Sequence, residues 1–377
     1  MGTTILKTNQ FIRYRESMFI KFKRFIYVIS LLLFSTYVSS AVILQYHHVS
    51  DDTPRITSIS PKLFEQHLNY IKTQGYQVWS LPKVVSYLKA KESIPDNVTV
   101  ITFDDAYGSI YHTAYPILKK YGWPFTVFVA PKPIDQKLKM FMSWQQLKEL
   151  SENGGTIANH SLSHPHLVRK KADEREAEWL KRIRQELQGT EDRLIKELGN
   201  SPKLLAYPYG EFTDEIQKIV SLMGLVAFGQ HSGAVDSRYK LTSLPRFPMN
   251  ETFGAMEQFK TKLASLPFPF KKITPAQHIV NSDDTLKEGI EIEFYPEKIQ
   301  AAKLACYFAN HGEIELDVSQ NEQRILVKTG PLPVLLPGRS RINCTAPASE
   351  VTNSGRYYWF SHYWMRTLSS GEWYPEP

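Results

Sequence analysis

The chain has 377 residues, 42% of them hydrophobic and 12% aromatic, with a formal net charge of +7. That composition excludes a disordered chain, and the length suits two domains of ordinary size. The charge is no nucleic-acid signal: residues 1–40 hold six basic residues and one acid, so the rest carries 39 basic and 37 acidic residues, a net +2.

Residues 1–40 read as a signal peptide. Lys21, Lys23 and Arg24 precede an apolar stretch from Phe25 to Phe34, and small residues follow at Ser39, Ser40 and Ala41. The stretch is short for a membrane span. Cleavage near 40/41 would export the protein to the periplasm, the cell envelope or the medium, whereas a retained segment would associate it with a membrane. Residues 1–17 are polar, which makes Met18 an alternative start.

From residue 41 to about 265, short apolar runs alternate with helical patterns. The predicted strands are Val42–His47, Tyr76–Trp79, Val98–Phe103, Phe125–Ala130, Thr156–Asn159, Leu204–Tyr207, Val226–Gly229 and Leu244–Phe247. Several are continuously apolar, as strands buried on both faces are. Ser60, Ser80, Ser143 and Thr213 are predicted N-caps of intervening helices, and a long charged helix from Ala172 to Leu198 is expected to stop at Gly199. Repeated strand–helix units give a parallel sheet. Seven or eight strands favour a closed or nearly closed α/β barrel over the main alternative, an open doubly wound sheet.

A proline-rich break, 266–285, is expected to be a linker. Beyond it, Ile290, Ile292 and Phe294 alternate with polar residues, and so do Ile314, Leu316 and Val318. Period two with turn signals at Gly289, Gly312 and Gly338 predicts an all-β domain over 286–377, a small sandwich. The only cysteines, Cys306 and Cys344, are expected to pair as one disulfide. The aromatic run 356–365 reads as a strand with a core-facing set rather than a sugar-binding face.

Three stretches carry chemistry. The first is ITFDD, where Asp104 and Asp105 stand side by side at the end of the strand 98–103. In a barrel the C-terminal strand ends build the active site. Taken alone, the pair reads rather as an N-cap, with Asp105 opening a helix near Tyr107. The second is ANHSLSHPH, where His160 and His164 follow a buried strand and Pro165 disfavours a helix at His164. Two imidazoles and a carboxylate make a metal site with open positions. The third is AYPYGEF, where Pro208 and Gly210 mark a tight turn. Such a turn can present the Tyr209 N–H to an anionic intermediate, although alone it reads as a plain β-α connection.

In this order the three motifs resemble the NodB-type polysaccharide deacetylases, carbohydrate esterase family 4, over roughly residues 41–250. The resemblance implies a distorted (β/α)7 barrel. It makes Asp104 the general base, Asp105, His160 and His164 the metal ligands, and the Tyr209 N–H an oxyanion donor. Two family features are missing: Tyr207 stands near the place of the Arg that orients the base, and no Leu-x-His motif follows residue 210. The first strand, ILQYHHV, resembles the poly-N-acetylglucosamine deacetylase branch, in which a first-strand His replaces the absent acid. That residue is His47. His48 should face the other way, and His231 lacks the context. SLPRFPM also resembles that branch, and Arg246 is the candidate for the missing orienting Arg. Trp144 is either a sugar platform or barrel packing.

The expected reaction is hydrolysis of N-acetyl groups on an envelope or extracellular polysaccharide, with metal-activated water, an Asp base and a His acid. Zinc is the default metal, with Co, Ni or Fe as alternatives. The rivals are a non-catalytic carbohydrate-binding protein on the same barrel and a deacylase acting on another substrate.

Overall fold

The computed structural model describes residues 40–280, 286–349 and 355–374. Apart from Ser40, the expected signal lies outside the described residues. Among the described residues no helix is long and apolar enough to cross a membrane.

The barrel strands are β1 (Ala41–Tyr46), β2 (Gln77–Val78), β3 (Val98–Phe103), β4 (Phe125–Val129), β5 (Gly155–Asn159), β6 (Leu204–Ala206), β7 (Val226–Phe228) and β8 (Phe247–Pro248). They form one eight-stranded sheet in the order β8-β1-β3-β4-β5-β6-β7, with β2 beside the start of β3. Every pairing is parallel. Residues 244–248 join the two edges: Leu244 bridges to Phe228 of β7, and Phe247 pairs with Leu44 of β1. The sheet therefore curls into a distorted barrel.

The helix caps are where local chemistry puts them. The Ser60 side chain accepts from the Leu63 N–H, Ser80 from Lys83 and Thr213 from Ile216, while Ser143 forms a capping box with Gln146. The long charged helix begins at Glu176, four residues later than expected, and ends at Leu198 before Gly199, whose φ of 81° suits glycine.

Strand parity decides what faces the barrel interior. Phe128 of β4 and Phe228 of β7 meet across it, with ring centroids 5.9 Å apart. They share a cluster with Ile43, Val100, Ala158, Ala206 and Leu244. Continuing with period two along each strand and into the residue after it, the interior series passes 45 on β1 and 47 after it, 102 on β3 and 104 after it, 160 after β5, and 246 after Leu244. The other parity, including Leu44, Phe103, Val127 and Ile157, packs outward against the helices.

The C-terminal strands are β9 (Leu266–Pro267), β10 (Phe270–Thr274), β11 (Ile279–Val280), β12 (Glu291–Phe294), β13 (Ala305–Phe308), β14 (Gly312–Ile314), β15 (Leu316–Gln320), β16 (Ile325–Thr329), β17 (Gly338–Pro347) and β18 (Tyr357–Arg366). One sheet runs β9-β18-β17-β13-β14 with β11 also on β18; the other runs β10-β12-β16-β15. Phe270, Phe294 and Phe360 connect the two sheets. The stretch read as a linker thus contributes three strands, β9, β10 and β11; its residues 281–285 lie outside the described residues. The reason is chemical. The apolar side chains of 266–270 are not solvated but pack on β12 and β18, with Phe268 4.0 Å from Phe294.

Cys306 and Cys344 are directly paired across β13 and β17 and form a disulfide. The aromatic run is β18, buried along nearly its whole length on both faces. Trp359 meets Phe247 of the barrel, and Tyr363 meets Phe212.

Candidate active site

Asp104 and Asp105 are adjacent on the chain, and a regular strand would send their side chains to opposite faces. Asp104 continues the interior series of β3, with its N–H on the Tyr46 carbonyl. Asp105 should point away. It does not, because Asp105 and Ala106 adopt left-handed backbones, with φ of 71° and 58°. Such conformations are costly for non-glycine residues and cluster at functional sites. Among the described residues, five of the ten positive-φ non-glycine residues, Asp105, Ala106, Ser161, His164 and Tyr209, belong to this one rim. Asp105 caps no helix.

Asp105 Oδ1 lies 3.3 Å from both His160 Nε2 and His164 Nε2. The three ligand atoms lie within 4.8 Å of one another, and among the described residues this is the one group of three or more that could hold a metal ion. The chemistry fits. His160 Nδ1 bonds the Ala206 carbonyl at 2.7 Å, which requires a proton on Nδ1 and leaves the Nε2 lone pair for a cation. The loop is braced from behind: the Ser161 N–H donates to Asn159, the His164 N–H to Ser161 Oγ, and Asn159 to Glu191 of the long helix. His164 is non-helical as expected, although left-handed rather than extended.

Asp104 is fully buried and doubly held. Arg246, also fully buried, grips it through two bonds of 2.7 and 2.8 Å, and Gln45 Nε2 adds a third at 2.6 Å. Burial alone would raise the Asp104 pKa, but the Arg246 charge, with help from His160 and His47, brings it below the usual carboxylate range. Burial likewise opposes ionisation of Asp105, and the His160 hydrogen bond and neighbouring imidazoles override it. His164 is pushed down to about 4, first by burial and then by His160.

His47 follows β1 on the interior parity and is electrostatically coupled to Asp104, Asp105 and His164. His48 turns away to stack on Tyr107, 3.7 Å between centroids, with Ser109 Oγ at its Nδ1. His231 lies elsewhere, against Phe212 and Tyr363. Tyr209 occupies the tight turn at φ 57°, followed by Gly210, where a Cβ would sit 2.7 Å from the Gln230 nitrogen. Tyr207 donates its hydroxyl to the Thr242 carbonyl, and it is Arg246 that holds Asp104.

Trp144 is engaged elsewhere. Its indole N–H donates to Asp135 at 2.8 Å, and the Arg193 guanidinium covers its ring at 5.0 Å. Both partners lie on outer helices, so the geometry is that of packing rather than of a free sugar platform. Several neighbours were not singled out from the sequence. Gln45 was hidden inside an apolar strand, where only its interior parity was a signal. His166 stacks on Tyr209 at 3.6 Å and bonds buried Glu211 at 2.7 Å. Tyr107 lies beside this group, and burial followed by the charge of Asp105 raises its pKa.

A parallel α/β barrel whose C-terminal rim gathers two carboxylates and two metal-competent imidazoles defines a class of hydrolase-like metal sites. The comparisons narrow it. Residues 91–228 match the family model described as polysaccharide deacetylase. The poly-beta-1,6-N-acetyl-D-glucosamine N-deacetylase of Staphylococcus aureus is 28% identical over 205 residues, 50% of this chain and 70% of that one. YxkH of Bacillus subtilis is 28% identical over 183 residues, 48% of this chain but only 61% of that protein's length. Among solved structures, the Streptococcus pyogenes deacetylase PplD in complex with acetate superposes with a TM-score of 0.54 at 26% identity, covering 59% of this chain and 98% of that one.

Proposed function

We propose that the protein removes N-acetyl groups from an exported or envelope polysaccharide of the poly-N-acetylglucosamine type. The observation that carries this reading is the Asp105–His160–His164 group beside an Asp104 clamped by Arg246. Asp105, His160 and His164 would hold a divalent ion, with zinc the default for two imidazoles and a carboxylate and Co, Ni or Fe alternatives. Bound there, such an ion supplies Lewis-acid polarisation of the amide oxygen and acidifies water.

The protein's own groups do the rest. Asp104, kept ionised by Arg246, accepts the proton of the attacking water. Arg246 and Gln45 orient that carboxylate without taking part in the transfer. The Tyr209 N–H donates to the oxygen on which negative charge develops. His47 gives a proton to the nitrogen as the C–N bond breaks, so acetate and a free amine leave. Trp144 has no part in this proposal.

The test is acetate release from a panel of N-acetylated polymers, paired with metal content after purification without chelator. Release from poly-N-acetylglucosamine with about one ion per chain supports the reading. Bound polymer with no acetate released would make the protein a carbohydrate-binding one. Release only from other acylated compounds would leave the mechanism and change the substrate.

A further inference from the structure

We infer that the C-terminal β domain is part of the catalytic apparatus, because it holds the turn that carries the Tyr209 N–H. The inference rests on the deacetylase reading for its consequence, not for its geometry.

In β17 and β18, Arg341 pairs with Tyr363 and Arg339 with Met365. Directly paired residues share a face, and so do residues two apart. Arg339, Tyr363 and Met365 therefore project from one side of this ladder. That side is turned to the barrel: Tyr363 and Met365 pack in a cluster with Leu205, Tyr207 and Phe212.

Two contacts from this face reach the turn. Arg339 Nη1 donates to the Tyr209 carbonyl. The Tyr363 hydroxyl brackets Phe212, accepting from its N–H at 3.0 Å and lying 3.3 Å from its carbonyl. Tyr363 is only 4% exposed, so these bonds are shielded from water. Between the two anchors lie Gly210 and Glu211, both buried.

The turn needs holding. Tyr209 sits at φ 57°, which a non-glycine residue leaves unless its surroundings prevent it. The barrel itself supplies the Gly210 N–H bond to the Tyr207 carbonyl, the Glu211 N–H bond to the Pro208 carbonyl, and ring contacts from His164 and His166. To these the guanidinium of Arg339 adds a contact on the Tyr209 carbonyl itself, the group whose direction sets ψ. An oxyanion donor is worth most when its direction is set before the charge forms. Arg339 is thus a positioning residue, acting through the backbone of Tyr209, and Tyr363 holds the downstream end.

The experiment uses the full chain with Arg339→Ala, Arg339→Lys and Tyr363→Phe. Arg339 is exposed, so its variants should fold. For Arg339→Ala we expect kcat to fall about tenfold or more, with KM within about threefold and metal content unchanged. Arg339→Lys should recover most of the loss, because an ammonium can still reach one carbonyl. Independently of chemistry, amide exchange in peptides spanning 207–213 should quicken about tenfold in Arg339→Ala and in Tyr363→Phe. Unchanged exchange with kcat within about twofold overturns the inference. So does a rise in KM at constant kcat, which would make Arg339 a substrate contact. If wild-type protein releases no acetate while exchange still responds, the deacetylase reading falls and the structural hold stands.

Discussion

Two groups of buried histidines lie within the described residues, and only one of them holds a member, His160, whose surroundings favour a positive charge. At the barrel rim, His160 and His164 converge on Asp105. Where the barrel meets the β sheets, His231, His278 and His362 line a cavity of about 330 Å³. There the rings pack on one another and on aromatics: His278 lies 4.5 Å from His362 and 4.4 Å from Tyr363. Burial penalises a positive charge in both places. At the rim, the Asp105 carboxylate at its Nε2 and the charges of both aspartates outweigh that penalty for His160, whose pKa rises, while His164 beside it stays pushed down to about 4. At the junction nothing outweighs it. His231 is pushed down to about 3 by burial, then by His278 and Arg246, and His362 falls well below its ordinary range. A buried histidine cluster welcomes a cation only where a carboxylate has already made the place negative.

The sharpest way to break this comparison is to remove the carboxylate. Asp105→Ala and His164→Ala should each lose bound metal and at least about 10³-fold in activity together. Asp104→Asn should lose a comparable amount of activity while metal stays, because Asp104 faces Arg246 and Gln45 rather than the imidazoles. His231→Leu should leave metal stoichiometry unchanged. Equal metal loss in Asp104→Asn would make Asp104 a ligand and sink the division of labour.

The next effect separates histidines by parity. His47→Ala should lower kcat by about 10²–10⁴-fold with metal retained. His48→Ala and His231→Ala should cost less than about tenfold, since one stacks on Tyr107 and the other sits at the junction. An imidazole buffer that restores part of the His47→Ala rate would support proton donation. If His231→Ala is the more damaging change, the assignment of the acid to the first strand is wrong.

The barrel was legible because its signals are local. Apolar runs marked the strands, Ser and Thr marked the helix starts, and each chemical motif sat at a strand end. Parity even separated His47 from His48. What local pattern could not show is what distant segments do to one another. Nothing in LLPGRSR says that Arg339 reaches a turn 130 residues earlier. Nothing in ITFDD says that two successive left-handed residues bring Asp105 back to the rim. Prolines in 266–275 suggested a linker, yet the apolar side chains between them had partners on β12 and β18. Trp144 shows the converse: an aromatic near a barrel loop looks available until Asp135 and Arg193 are seen to hold it. Arg246 lay between these cases, visible only by its likeness to a family pattern and explained by two bonds to Asp104.

The smallest expected effect lies in stability, and it sharpens the comparison from the junction side. His231 has a folded-state pKa of about 3 against an ordinary value of 6.5. Between those values the unfolded chain binds a proton that the folded chain refuses. Stability therefore rises with pH across that window and is lost as pH falls below about 6.5. One such group contributes a slope of about 1.4 kcal/mol per pH unit, or about 2 kcal/mol between pH 7 and pH 5. The charged and titratable groups around the cavity do not cancel it: His278 and His362 shift in the same direction, and Asp214 only partly opposes the shift of His278. Denaturant unfolding of wild type and His231→Leu at pH 7 and pH 5 is the measurement. The variant loses packing at both pH values, so only the difference between them counts. Wild type should lose about 2 kcal/mol more than the variant on acidification. Equal losses would mean that His231 takes up its proton in the folded state, and that the junction tolerates the charge that its lack of a carboxylate should forbid.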